Sequence, residues 1–295
     1  MPQWLNGRAL ADKILTELKT VIARLDFQPC LAAISVGNNP SSTVYLRLKE
    51  NACQKVGLNF EPYYFVSATQ AELLKLIQNL NSRPEINGIL LQLPLPEGLD
   101  PDPLITAIDP AKDVDGFHPQ NQLALANNHP SVVSPLLRGA GELLKTVLPD
   151  PSGKEVLVVA KSQIFAQGAT DYFKTLGCSV KTHLFKSGAT PSQNENATKI
   201  AIGATKKPDS AADIIFTAIG RPGCLADYNF QPGAIVLDAG FTHIDGHPAG
   251  GLDPKTAENP NIAYATPVPG GLGPLTVAML LQNTYDLSQK QKLPA

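Results

Sequence analysis

Tyr45 and Lys49 stand four residues apart in a stretch patterned as a helix, so both project from one face, where a phenol can hold an amine in position. An ordinary amphipathic helix with a solvated lysine presents the same pair. Gln92 is less ordinary. It interrupts the apolar run Ile89-Leu-Leu-Gln-Leu93 near the end of a strand, and a buried amide needs partners. In open α/β sheets ligands bind beyond the carboxyl ends of strands, which puts Gln92 where a substrate group or a catalytic lysine can use it, with neighbouring backbone as the alternative partner. Lys112-Asp-Val-Asp-Gly-Phe-His118 carries two carboxylates, Asp113 and Asp115, ahead of Gly116. With one histidine nearby and no cysteine they make a poor metal set, and a turn-forming acidic loop is the better reading. Thr266-Pro-Val-Pro-Gly-Gly-Leu-Gly-Pro274 exposes backbone just before an apolar helix at Thr276. Its glycines let a ligand ring approach the main chain, or simply form an interdomain turn.

A frame must aim these side chains, and hydrophobic patterning supplies one. Leu10, Ile14, Leu15, Leu18, Val21 and Ile22 repeat with a helical period over 5–25, and a strand-like run follows at 31–36. Residues 37–40 form a turn, Ser41 or Ser42 can cap the next helix, and Gly57 stops it after Val56. A strand over 61–66, a helix over 70–80 and a buried strand over 88–93 come next, and after Pro94 the chain reads as irregular through Asp115. A helix over 135–147 leads to Pro149-Asp-Pro151, with a domain boundary near it. The second half restarts with a strand over 155–160, a loop, a helix to 176 and a strand over 179–185, the pattern of a Rossmann-like unit, with further strands at 213–218, 234–238 and 262–265. The polar stretch 186–209 reads as an extended surface loop. Such alternation predicts an α/β protein with parallel sheets covered by helices.

At about 150 residues per domain, 295 residues favour two domains. The 24 basic and 26 acidic side chains nearly cancel, which excludes a nucleic-acid footprint or an acidic tail and leaves a small molecule as the better partner. Arg8, Asp12, Lys13, Glu17 and Lys19 interrupt the apolar residues of the N-terminus, and no later run approaches a membrane span, so a soluble, cytoplasmic protein without a secretory leader is expected. Cys30, Cys53, Cys178 and Cys224 lie far apart with no CxxC spacing and read as buried thiols.

Taken together, Tyr45-Leu-Arg-Leu-Lys49, Gly88-Ile-Leu-Leu-Gln-Leu-Pro-Leu-Pro96, Lys112-Asp-Val-Asp-Gly-Phe-His-Pro119 and the segment Thr266 to Met279 resemble the bifunctional methylenetetrahydrofolate dehydrogenase/methenyltetrahydrofolate cyclohydrolase family. Asn6-Gly-Arg-Ala-Leu-Ala11 and Val236-Leu-Asp-Ala-Gly240 are similar to further segments of it, so the resemblance spans nearly the whole chain. It implies two α/β domains with a cleft between them: a folate-binding catalytic domain over 1–134, a Rossmann-like dinucleotide-binding domain over 135–271, and a C-terminal helix over 272–295 returning to the first. It also implies oxidation of 5,10-methylenetetrahydrofolate with NADP, NAD being the other candidate, hydrolysis to 10-formyltetrahydrofolate, a homodimer and a link to purine biosynthesis. Carried onto this sequence, Lys49 becomes the catalytic lysine, Tyr45 its neighbour over the substrate and Gln92 its hydrogen-bond partner. Asp115 holds the pterin, with Pro269, Gly270 and Gly271 also at the substrate. Lys161, Ser162, Gly220, Asp238, Gly240 and Thr276 serve the cofactor.

Departures from the family pattern fall mainly on the cofactor half. Where the family has Gly-Arg-Ser-x-x-Val-Gly-x-Pro, this chain reads Ala160-Lys-Ser-Gln-Ile-Phe-Ala-Gln-Gly168, and Val132-Val-Ser-Pro135 replaces Pro-Cys-Thr-Pro. Lys161 keeps the charge without the bidentate fork, while the methyls of Ala160 and Ala166 are expected to keep backbone away from a pyrophosphate. Three readings follow: the full bifunctional enzyme, a cyclohydrolase with weak or absent dehydrogenase activity, and a non-catalytic folate-binding paralogue. Retention of Lys49, Gln92 and Asp115 together argues against the last.

Overall fold

The computed structural model describes residues 1–185, 212–244 and 246–292 of the chain. In chain order the elements are β1 (Gln3–Trp4), α1 (Gly7–Ile22), β2 (Cys30–Val36), α2 (Pro40–Val56), β3 (Asn59–Phe65), α3 (Gln70–Ser82), β4 (Gly88–Leu91), α4 (Pro101–Ala107), α5 (Pro119–Ala126) and α6 (Pro135–Lys145). There follow β5 (Glu155–Ala160), α7 (Gln163–Thr175), β6 (Ser179–Leu184), β7 (Ile214–Thr217), β8 (Ala234–Asp238), β9 (Thr242–Ile244), β10 (His247–Ala249), α8 (Pro254–Ala257), β11 (Ile262–Ala265) and α9 (Leu272–Lys292). The surface loop expected over 186–209 lies outside the described residues.

The chain divides into two compact units, one of Arg8–Glu142 with Pro274–Ala295, the other of Met1–Gly7 with Leu143–Gly273. The division falls inside α6 and just inside α9, where the sequence placed it ahead of each. Met1–Gly7 joins the later residues because β1 pairs in parallel with β11, Gln3 opposite Tyr264 and Trp4 opposite Ala265.

In the first unit three parallel strands run in the order β3-β2-β4. Alternate residues of β2 enter opposite cores, as the pleat requires. Leu31 and Ala33 join Leu18, Leu46, Cys53 and Leu280, while Ala32 and Ile34 join Leu73, Ile77, Leu80 and Leu104. Helices therefore cover both faces of the sheet, which is why β2 and β4, buried throughout, read as largely apolar runs, whereas the edge strand β3 does not. Two short helices arise where the patterning indicates none, α4 within the stretch read as irregular and α5 after it. Asp100 caps α4 and His118 caps α5, each with proline in the first turn, a start signal too local to register as periodicity. The start of α2 also differs from expectation. Pro40 opens the helix, and Thr43 N–H donates to Asn39 O at 3.1 Å, so Ser41 and Ser42 lie past its first residue, later than the cap position expected for them.

The second unit holds a six-stranded parallel sheet in the order β1-β11-β8-β7-β5-β6. From β5 the chain goes to β6 on one side and returns to β7 on the other, so the strand order reverses between β5 and β7. In such sheets the crevice above that reversal receives ligands. The antiparallel β9–β10 hairpin and α8 are additions that the patterning did not indicate. Among the described residues no helix is long and apolar enough to cross a membrane.

Candidate active site

One stripe of α2, with Leu46, Cys53 and Val56, is buried in the core, and Tyr45 and Lys49 lie half-buried beside it. Lys49 Nζ donates to Gln92 Oε1 at 2.8 Å. Gln92 is itself fixed: its amide NH2 donates to Leu93 O at 2.7 Å and its backbone N–H to Ile34 O at 2.8 Å, just past the end of β4. The half-buried amide thus uses the lysine and neighbouring backbone together. Burial pulls the Lys49 pKa below the usual lysine range, opposed by the charge of Asp115. Burial also raises the Tyr45 phenol.

The two carboxylates of the acidic loop part ways. Asp113 accepts from Gly116 N–H at 3.0 Å, from His118 N–H at 2.8 Å and from the Asn121 amide at 2.9 Å, closing the turn in which Gly116 takes φ +69°. Ile89 N–H donates to Lys112 O at 2.7 Å, which lays this turn along β4. Lys112 points the other way and donates to the Leu80, Asn81 and Arg83 carbonyls at 3.1, 2.8 and 2.7 Å, capping α3. Asp115 lies within electrostatic reach of Lys49. Burial pushes its carboxyl up to about 6, with Lys49 pulling it down and Asp113 adding to the rise. Among the described residues no group of three potential metal ligands gathers here or elsewhere.

Asn283 is a residue that the sequence reading passed over. Its amide donates to Val114 O and Val133 O, each at 2.9 Å, and so ties α9 to the residue before Asp115, while Arg138 donates to its Oδ1 at 2.7 Å. The available signal was an asparagine within the apolar run of α9.

Asp113→Ala should therefore unfold more readily than the parent, by on the order of 3 to 5 kcal/mol, because three donors lose their acceptor in a buried turn. Denaturant titration measures this, and an unchanged midpoint would show the turn to be held by other means.

The remaining predicted residues fall into two sets. Tyr45, Lys49, Gln92, Asp115 and Thr276 belong to the first unit; Lys161, Ser162, Gly220, Asp238, Gly240 and Pro269 to Gly271 belong to the second. In the second unit Ser162 caps α7, accepting from Phe165 N–H at 3.5 Å, and Lys161 beside it is exposed. Helix geometry leaves the N–H groups of Gln163 and Ile164 without intrahelical acceptors, a fit for an anionic phosphate above β5. Ala160 and Ala166 are 1% and 0% exposed, so their methyls pack in the core and do not crowd that end, contrary to the steric expectation. Asp238, 1% exposed, turns inward and accepts from Gly240 N–H at 2.8 Å and Leu252 N–H at 2.9 Å, clamping the loop after β8. Gly220 and Gly240 permit backbone contact, since a Cβ on Gly240 would stand 2.6 Å from Gly220 N. A Cβ on Gly271 would stand 2.6 Å from Pro267 O, so that glycine too is required by a tight turn.

Comparison with known proteins agrees with this arrangement. Residues 5–115 match the tetrahydrofolate dehydrogenase/cyclohydrolase catalytic domain, and residues 135–292 match the NAD(P)-binding domain of the same family. The bifunctional protein FolD of Desulfovibrio desulfuricans is 40% identical over 290 residues, 95% of this chain and 96% of the relative. That of Nitratidesulfovibrio vulgaris (strain DP4) is 41% identical over 292 residues, 96% of each. Among solved structures, the bifunctional FolD enzyme of Campylobacter jejuni superimposes with a TM-score of 0.84 at 31% identity, over 98% of this chain and 99% of that one. The Trypanosoma brucei methylenetetrahydrofolate dehydrogenase-cyclohydrolase, solved with its NADP cofactor and an inhibitor, gives 0.84 at 28% identity over 98% of each chain. The chain belongs to the tetrahydrofolate dehydrogenase/cyclohydrolase family, the bifunctional enzymes of one-carbon folate interconversion that join an NADP-dependent dehydrogenase to a cyclohydrolase.

Proposed function

We propose that this chain oxidises 5,10-methylenetetrahydrofolate with NADP and hydrolyses the 5,10-methenyl product to 10-formyltetrahydrofolate, with Lys49, Gln92 and Asp115 as its working side chains. The observation that carries the assignment is the Lys49–Gln92 hydrogen bond at 2.8 Å, with the charge of Asp115 felt at the same lysine. Asp115 binds the pterin: its carboxylate accepts two hydrogen bonds, from the ring N–H and the exocyclic amine, a bidentate match that fixes orientation. Lys49 works at the one-carbon unit. The cationic methenyl carbon disfavours a second positive charge, so the lysine pKa, already lowered by burial, falls further and the amine accepts a proton from the attacking water. Hydration adds water to the carbon, the bond to N5 breaks, the formyl group stays on N10, and one proton leaves overall. Gln92 holds the amine at that carbon, and Tyr45 flanks the substrate. NADP, when bound, supplies the hydride acceptor; Lys161, Ser162 and the first-turn amides of α7 hold its phosphates, and the protein contributes alignment.

The reading extends to a cytoplasmic homodimer whose formyl product serves purine synthesis, supported by the family resemblance, and to a protein without a nucleic-acid partner, supported by the near-balance of charge. Sedimentation equilibrium tests the dimer. The function itself is tested by following methenyl absorbance: NADP-dependent appearance from the methylene substrate, and dinucleotide-independent loss by hydrolysis. Absence of the first with retention of the second would leave a cyclohydrolase alone.

Asp115 also gives a pH prediction. Its carboxyl titrates near 6 in the free protein, and the pterin donors prefer the ionised form. Folate affinity should therefore fall as pH drops through 6, and binding at or below that pH should release protons. Calorimetry in buffers of different ionisation enthalpy reads the proton count; no release at pH 5.5 would separate Asp115 from the pterin.

A further inference from the structure

The guanidinium of Arg221 lies over the Phe185 ring, 5.5 Å from Cζ to the ring centroid. The two residues come from strands that are not neighbours. Arg221 follows β7 and Phe185 follows β6, with β5 between them, so the arginine side chain spans the carboxyl end of β5, where Lys161 emerges. Phe185 is held in place on both sides: its N–H donates to Ala160 O at 2.7 Å, and it packs against the core cluster of Ile219, Leu225 and their neighbours. The backbone of Arg221 is fixed as well. Cys224 N–H donates to Arg221 O at 3.2 Å, and Gly220 turns the chain at φ +62° against Phe241. Among the described residues no carboxylate forms an ion pair with Arg221, so a partly exposed, oriented cation stands beside the strand reversal with its charge uncommitted.

In dinucleotide-binding βαβ units the end of the second strand decides which ribose is accepted: an acidic residue there bonds a 2′-hydroxyl, and an arginine nearby accommodates a 2′-phosphate. Here that strand is β6, and its last described residues, Leu184 and Phe185, carry no carboxylate to bond a hydroxyl or repel a phosphate. The pyrophosphate belongs at the N-terminus of α7, which leaves Arg221 over the adenosine end. Building on the dehydrogenase reading given above, we propose that Arg221, shelved on Phe185, is a specificity-determining residue of this enzyme, gripping the ribose 2′-phosphate of the dinucleotide together with Lys161. A guanidinium forms paired hydrogen bonds with phosphate that the Lys161 point charge does not, and so restores the fork that the loop after β5 lacks.

The test is binding, by calorimetry, of NADP, NAD, 2′,5′-ADP and 5′-AMP to the parent, Arg221→Gln, Arg221→Lys and Phe185→Leu. Arg221→Gln should weaken NADP and 2′,5′-ADP by about tenfold or more while NAD and 5′-AMP change by less than about twofold. Arg221→Lys should recover part of the loss. Phe185→Leu keeps an apolar side chain in the core but removes the ring face, and should weaken the two 2′-phosphorylated ligands by a few-fold; it decides the matter if Arg221→Gln does not fold. Equal weakening of all four ligands, or unchanged NADP affinity, would overturn the assignment while leaving the dehydrogenase reading intact. A parent that binds neither dinucleotide would overturn both.

Discussion

Lys49→Ala should lose cyclohydrolase activity by about a thousandfold while folate affinity stays within a few-fold, an effect in the range of removing a positioned general base. The division follows from where the groups sit. Lys49 is held by Gln92 at 2.8 Å and has its pKa lowered by burial, which suits proton transfer, whereas the pterin is assigned to Asp115 on another segment. Because hydride transfer needs alignment more than a base, the dehydrogenase should fall less than the hydrolase. Lys49→Arg should not rescue hydrolysis, since a guanidinium stays protonated. Gln92→Ala acts through Lys49: kcat should drop with little change in KM, and the alkaline-rising limb of the pH–rate profile should move, which loss of packing alone would not produce. Equal losses of binding and of rate in Lys49→Ala would assign the lysine to substrate binding, and a normal rate would remove it from the mechanism.

How much of this was legible without coordinates differs along the chain for physical reasons. β8 and β11 are read to the residue because strands buried on both faces are short apolar runs bounded by turn residues. α4 and α5 were not, since seven or eight residues span barely two turns and show no period; only their Asp-Pro and His-Pro starts mark them. At the site, Tyr45, Lys49 and Gln92 could be singled out by residue type and spacing, but that Nζ meets Oε1 depends on how α2 packs beside β4, which no local pattern contains. The acidic loop shows the same limit more sharply. Asp113 and Asp115 differ by one position, yet the first is consumed by three donors and the second is not, a distinction set by the turn at Gly116. On the cofactor side, alanines replacing glycines read as a steric barrier; burial of both methyls removes it. Arg221 was invisible for a related reason, since its meaning comes from Phe185, thirty-six positions earlier in the chain.

Asp115→Ala should depress both activities and, unlike most buried substitutions, make the free protein more stable above about pH 6. The first effect follows from losing a charge-assisted pair to the pterin, on the order of 2 to 5 kcal/mol when the site is closed to water, seen as a rise in KM for the methylene and methenyl substrates alike. The second follows from linkage. A carboxyl raised from 3.8 in the unfolded chain to about 6 in the folded one favours folding fully below 3.8, and that advantage is lost as pH rises through 6, where the ionised group sits in a site that disfavours it. Removing the group removes the penalty, so the parent and variant denaturation midpoints should diverge as pH rises from about 4 to 6 and stay apart above it, with the variant higher. Asp115→Asn should share the stability gain and recover only part of the affinity, because an amide offers one acceptor where the pterin presents two donors. A turn-shaping aspartate gives the opposite pattern: like Asp113, it would lower stability when truncated and leave folate affinity alone. Stability and affinity measured on the same two variants therefore decide between a side chain that holds the loop and one that the loop holds out for the substrate.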